Sequence, residues 1–216
     1  YEALSAPVEV CPGGSTSISA YIFSNPPASY QWQYFHPLHG WANVPNGVFS
    51  PPFTGIFANA SGANTPTLSL SGVSLGSYNP LSFRCAASNI CGSANLFGIE
   101  TTLSYAQPFT FFSQPADLTT CATGPANFSA YGFGSEPLVY QWETLSDATS
   151  NWVAIPNGGY SDSFSGLLFT ASGANTPSLS ISNVYLGAHT GPLSYRLVVL
   201  GPCNTSASTT ALHTVC

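Results

Sequence analysis

A chain of 216 residues with no Lys, two Arg and eight carboxylates has no basic patch to neutralise phosphates, which excludes nucleic acid and disfavours an anionic membrane surface. Its 14 Phe, 11 Tyr and 4 Trp exclude disorder, since a disordered chain lacks the apolar material of a core. With only 5% charged residues beside 44% hydrophobic ones, the surface is expected to be covered by a partner subunit, a lattice or glycans.

No segment carries a helical period, and Gly, Pro, Ser, Thr and Asn interrupt the chain at short intervals, which predicts an all-β fold. Tyr1 reads as a mature start with any export segment removed. Val8-Glu9-Val10 leads to Cys11, and Ser17–Ile22 alternates with Ile18, Ala20 and Ile22 on one face. Tyr30-Gln31-Trp32-Gln33 follows, then a loop with His36 and His39, then Trp41 and the turn Pro45-Asn46-Gly47. Ala60-Ser61-Gly62-Ala63-Asn64-Thr65-Pro66 precedes the alternating strand Thr67–Val73, and Leu81–Ala86 is a strand whose Arg84 points away from the core.

The same landmarks then return. Tyr140-Gln141-Trp142-Glu143, Trp152, Pro156-Asn157-Gly158, Ala171–Pro177 and Leu193–Val198 repeat them at an offset of 110 to 112, so the chain is one domain written twice. The expected domains are 1–108 and 109–216. Phe109 to Phe112 either extends the last strand of the first domain or forms an apolar hinge. The ending Leu212–Cys216 looks like the approaches to Cys11 and Cys121; it is either a last strand or the remnant of a further repeat.

The order Cys-x-Gly-Gly, alternating strand, Tyr-Gln-Trp-Gln, Trp-x-x-Val-Pro-Asn-Gly, Leu-x-Leu-x-x-Val, Phe-Arg-Cys and Asn-Ile-Cys-Gly resembles the immunoglobulin-like repeats found in tandem in bacterial extracellular and surface proteins. The resemblance implies two tandem immunoglobulin-like β-sandwich domains with Trp32 and Trp142 as core tryptophans on the third strand. It also exposes a departure. The positions of the usual inter-sheet bridge read Ala20 and Ala130 on one strand and Cys85 and Leu197 on the other, so neither domain has that bridge. Tyr195 stands where a tyrosine corner could form.

Six Cys in related places suggest disulfides and an oxidising compartment, hence an extracellular or cell-surface protein. Repeat logic pairs Cys11 with Cys91 and Cys121 with Cys203. In an immunoglobulin-type sandwich those turns lie at opposite ends, so an alternative staples Cys11 to Cys203 and Cys121 to Cys91 of a neighbouring chain. Cys85 and Cys216 are then left for each other or for separate partners. Asn59, Asn127 and Asn204 fit the N-glycosylation pattern.

His36 and His39 lack further ligands nearby and read as a polar loop rather than a metal site. The carboxylates Glu2, Glu9, Glu100, Asp117, Glu136, Glu143, Asp147 and Asp162 are scattered, with no pair recurring between the repeats. No cofactor, metal or catalytic constellation is expected, and the chain reads as non-enzymatic. Tyr34, Phe35 and Trp41, with Trp152 and Tyr160, are either aromatics that stack sugar rings or caps on the core. The favoured reading is a structural protein that assembles with itself into a head-to-tail homopolymer. A carbohydrate-binding or adhesin module of a larger secreted protein, partnered by a polysaccharide or another surface protein, is the alternative.

Overall fold

The computed structural model describes residues 2–90, 92–95, 100–121 and 124–216. Its chain divides into two units, Tyr1–Ala106 and Gln107–Cys216, two residues before the boundary expected from the repeats. Gln107 already belongs to the second unit: its amide donates to Ser135 Oγ at 2.9 Å, and Ser135 N donates back to its carbonyl at 2.9 Å. All regular elements among the described residues are strands.

The first unit contains β1 (Glu2–Leu4), β2 (Val8–Val10), β3 (Ser15–Ile22), β4 (Ser29–His36), β5 (Gly40–Asn43), β6 (Gly47–Phe49), β7 (Ile56–Ser61), β8 (Thr67–Leu75), β9 (Leu81–Asn89), β10 (Gly92–Asn95) and β11 (Thr101–Tyr105). One sheet runs β1-β3-β8-β7-β6, and the other β2-β11-β9-β4-β5 with β10 also on β9. The pairing of β2 with β11 is parallel and the rest are antiparallel. The second unit contains β12 (Thr110–Ser113), β13 (Leu118–Thr120), β14 (Ala126–Ser129), β15 (Tyr131–Phe133), β16 (Val139–Leu145), β17 (Trp152–Ala154), β18 (Gly158–Ser161), β19 (Leu168–Ser172), β20 (Ser178–Tyr185), β21 (Leu193–Leu200), β22 (Thr205–Ala207) and β23 (Ala211–Val215). Its sheets run β13-β23-β21-β16-β17 and β14-β20-β19-β18, with β12 on β15 and β22 on β21. Again the first strand of the larger sheet, β13, pairs in parallel with the last, β23.

The period-two alternation of the sequence becomes the two faces of each sheet. Ile18, Trp32, Leu68, Phe83 and Leu103 are fully buried in the first core; Phe128, Trp142, Leu179, Tyr195 and Leu197 occupy the second. The alternation of β8 slips midway, from Leu68 and Leu70 to Val73 and Leu75. The cause is a bulge in which Gly72 takes φ 64°, and Asn183 takes φ 54° at the matching point of β20. Gly carries no penalty in this left-handed region, and Asn tolerates it better than other side chains.

Three expectations are corrected here. Phe109 to Phe112 is neither an extension of the first domain nor a hinge: Phe109 is buried in the second core, and β12 pairs with β15. His36 is not a loop residue but the buried end of β4, its Nδ1 accepting from Leu38 N at 3.2 Å. Tyr34 is not a surface aromatic; it is 7% exposed and packs edge-on against Phe49, ring centres 4.8 Å apart.

Candidate functional site

The stretches that repeat best form one hydrogen-bond network per domain. In the first, Trp32 N donates to Ala63 O at 2.9 Å and Trp32 Nε1 to Thr65 O at 3.0 Å. Asn46 Oδ1 accepts from Ala63 N at 3.0 Å, Asn46 Nδ2 donates to Asn64 Oδ1 at 3.1 Å, and Asn64 Nδ2 donates to Gln31 Oε1 at 3.0 Å. Gln31 Nε2 closes the circuit on the Val44 carbonyl at 3.1 Å. Trp142, Ala174, Thr176, Asn157, Asn175, Gln141 and Ile155 reproduce every one of these bonds. Gly62 and Gly173 turn this loop at φ 75°, where a Cβ would collide with the carbonyls of Thr67 and Ser178. Repetition in these stretches is therefore explained by a hydrogen-bond network that ties the loop to the strand of the buried tryptophan. Ligand chemistry is not needed to account for it.

The outward aromatics are also occupied. The Arg84 guanidinium lies 4.3 Å over the Trp41 ring and its Nε donates to Gln33 Oε1 at 2.8 Å; Phe35 meets Trp41 edge-on at 5.5 Å. Arg196 lies 4.4 Å over Trp152 and pairs with Glu143 at 2.7 Å. Tyr160 stacks on Phe169 at 4.6 Å. Each tryptophan thus carries an arginine on one face, a cation–π contact within the fold.

The cysteines divide into three groups. Cys11 and Cys203 are each disulfide-bonded. Cys91 lies outside the described residues. Cys85, Cys121 and Cys216 are free thiols, which overturns the pairing of Cys121 with Cys203. Cys85 is also not a partner for Cys216: it is 1% exposed inside the first core, and burial pushes its thiol up to about 11. Cys121 and Cys216 stand together, Sγ to Sγ 2.9 Å, both exposed. Sequence reasoning missed this pair, which joins the ends of two strands 95 residues apart.

The remaining polar groups serve the second domain's own structure. Asp162 is buried. Burial works to raise its carboxyl, but hydrogen bonds from the Ser146 hydroxyl and the Ser165, Phe164 and Ala148 amides prevail and hold it below the usual value. His213 is fully buried beside Phe128 and Tyr195, with Nε2 2.8 Å from Thr120 Oγ1, and burial pushes its pKa down. The Tyr195 hydroxyl is buried without a hydrogen-bond partner among the described residues, so it makes no tyrosine corner; burial pushes its pKa far up. His189 Nδ1 meets Asp147 at 2.7 Å. Among the described residues no group of three His, Cys, Asp or Glu is placed to hold a metal, and no helix is long and apolar enough to cross a membrane.

Of the glycosylation candidates, Asn59 and Asn127 are exposed on β7 and β14. Asn204 is built into the fold. Its Oδ1 accepts from Phe109 N at 2.8 Å, and its Nδ2 donates to Phe109 O at 3.1 Å and Ser206 Oγ at 2.8 Å, which occupies the nitrogen a glycan would take.

Strand order, the parallel pairing of the first and last strands of the larger sheet, and the buried tryptophans on β4 and β16 define tandem immunoglobulin-like β-sandwiches. No family model and no curated protein matches the chain. Among solved structures it is similar to a three-immunoglobulin-domain stretch of titin at 16% identity, covering 100% of this chain and 64% of that one, TM-score 0.41. It is also similar to a chimeric titin Z1Z2 tandem, at 16% identity with 100% of both chains covered and a TM-score of 0.36. A third is titin Z1Z2 in complex with telethonin, at 14% identity covering 100% and 96%, TM-score 0.35. The fold assignment rests on the strand topology and not on these likenesses.

Proposed function

We propose that this chain is a non-enzymatic extracellular structural protein, a self-assembling subunit of a surface filament or layer built from immunoglobulin-like domains. The observation that carries the reading is a set of aromatic side chains left in solvent at matching positions of both domains. Phe23, just beyond β3, and Phe133, the end of β15, are 88% and 60% exposed; Phe53 and Phe164, in the turns before β7 and β19, are 100% and 76% exposed. Both β3 and β7 run antiparallel to β8, so the end of one and the start of the other lie at opposite ends of the sandwich. Each domain therefore offers an apolar contact at either end. A contact between unlike ends of successive chains propagates instead of closing. Fully burying one such side chain stabilises by about 1.5–3 kcal/mol.

The scarcity of charge, which leaves little repulsion between copies, supports the same reading. So do the disulfide-bonded Cys11 and Cys203, which suit an oxidising exterior. The carbohydrate-binding alternative loses Tyr34 to the core and one face of Trp41 and Trp152 to arginine.

Sedimentation and negative-stain microscopy of native protein test the proposal. Large assemblies are expected, and Phe23→Ser with Phe53→Ser should shrink them without altering the circular dichroism spectrum. Monodisperse monomer at high concentration overturns the proposal.

A further inference from the structure

We propose that Cys121 and Cys216 are a redox-active dithiol that closes to a cross-strand disulfide, a covalent modification site of the second domain. The site is set by strand register. β13 and β23 run in parallel with Leu118 opposite His213, Thr119 opposite Thr214 and Thr120 opposite Val215. The next rung places Cys121 opposite Cys216. Cys216 N donates to Thr120 O at 3.0 Å, so the backbone of that rung is already held. Neighbouring strands lie about 4.7–4.9 Å apart, inside the roughly 4.4–6.8 Å that bridged Cα atoms span. The sulfurs meet at 2.9 Å and both residues are exposed, so a small oxidant reaches them without any opening of the fold.

The first domain lacks the pair. There Leu103, Ser104 and Tyr105 run opposite Val8, Glu9 and Val10, and Ala106 N donates to Val10 O at 3.0 Å. Ala106 consequently stands where the second domain has Cys216, opposite a Cys11 that is itself disulfide-bonded.

The oxidant is a low-molecular-weight disulfide. The thiolate of one cysteine attacks it, forming a mixed disulfide and expelling one small thiolate. The second cysteine, as thiolate, attacks the protein sulfur of that mixed disulfide, forming the Cys121–Cys216 bond and expelling the other. Two electrons pass from the protein dithiol to the small disulfide, and the two protons end on the released thiols. The hydrogen bond to Cys216 and its charge push the Cys121 thiol up. The site stands on the second domain alone, and its test is independent of whether the chains assemble.

The test equilibrates the full chain in mixtures of glutathione and glutathione disulfide, caps free thiols with one maleimide, then reduces and labels with a heavier one. Peptide mass spectrometry should show Cys121 and Cys216 closing with a single shared midpoint, a peptide linking the two, and a monomer two hydrogens lighter. Cys85 should take neither label until the chain is denatured. With Cys216→Ala the reaction should stop at the Cys121–glutathione mixed disulfide. Separate midpoints, or cysteines recovered on glutathione or on another chain in place of each other, overturn the proposal.

Discussion

The two domains solve one packing problem with different residues, and their differences fall in compensating groups. Where the first domain has Tyr34, Phe49 and Ala58, the second has Thr144, Tyr160 and Phe169, so a ring lost from one strand is regained on another. Where the first has Ile18, Phe83 and Leu103, the second gathers Phe128, Tyr195 and His213 into an aromatic cluster with ring centres 5.0 to 6.1 Å apart. Volume is conserved while polarity is not. The second core contains a histidine and an unpartnered tyrosine hydroxyl; beside it, buried Asp162 stands where the first domain has Pro51. Packing constrains size and shape closely but admits polar atoms where a hydroxyl or amide can meet them.

The comparison breaks most forcefully at the shared tryptophans. Trp32→Ala and Trp142→Ala should each destabilise their own domain by about 3–5 kcal/mol. Hydrogen exchange on the full chain should localise the loss to the domain that carries the change. A loss shared equally by both domains contradicts the two separate cores.

Acid should separate the domains next. A His whose folded pKa is depressed contributes stability that is present above its ordinary 6.5 and lost as pH falls through it. The depressed carboxyl of Asp162 adds a second loss as pH falls through and below its ordinary 3.8. The second domain should therefore weaken from slightly acid pH downward, while Leu103 and Pro51 contribute no such dependence to the first. His213→Leu should flatten the upper of the two declines in a urea titration followed by hydrogen exchange.

The smallest effect separates the arginines. Arg196→Ala removes an ion pair with Glu143 worth about 0.2–1 kcal/mol, and that loss should shrink with added salt. Arg84 instead donates to neutral Gln33 and covers the Trp41 ring.

The all-β fold and the doubling were legible because period-two alternation and a constant offset need no tertiary knowledge. Parity alone also places Tyr34 and His36 on the inner face, two and four residues beyond buried Trp32; the polar loop expected for His36 and the sugar-stacking option kept open for Tyr34 ignored the strand's own period. By the same parity Cys85 falls in line with Leu81, Phe83 and Ala87. The adjacency of Cys121 and Cys216 was illegible, since it depends on the first and last strands of a sheet meeting 95 residues apart. Asn204 likewise holds Phe109 across 95 residues, a contact that no local pattern announces.

The parallel pairing of β13 with β23 has a mechanical consequence. Tension applied between Leu118 and Cys216 draws the two strands past each other, so their rungs bear the load together in shear instead of opening one at a time. A bond between Cys121 and Cys216 carries that tension straight from one strand to the other, and the chain between them is relieved of it. The first domain, with Ala106 opposite Cys11, has no cysteine pair at this rung.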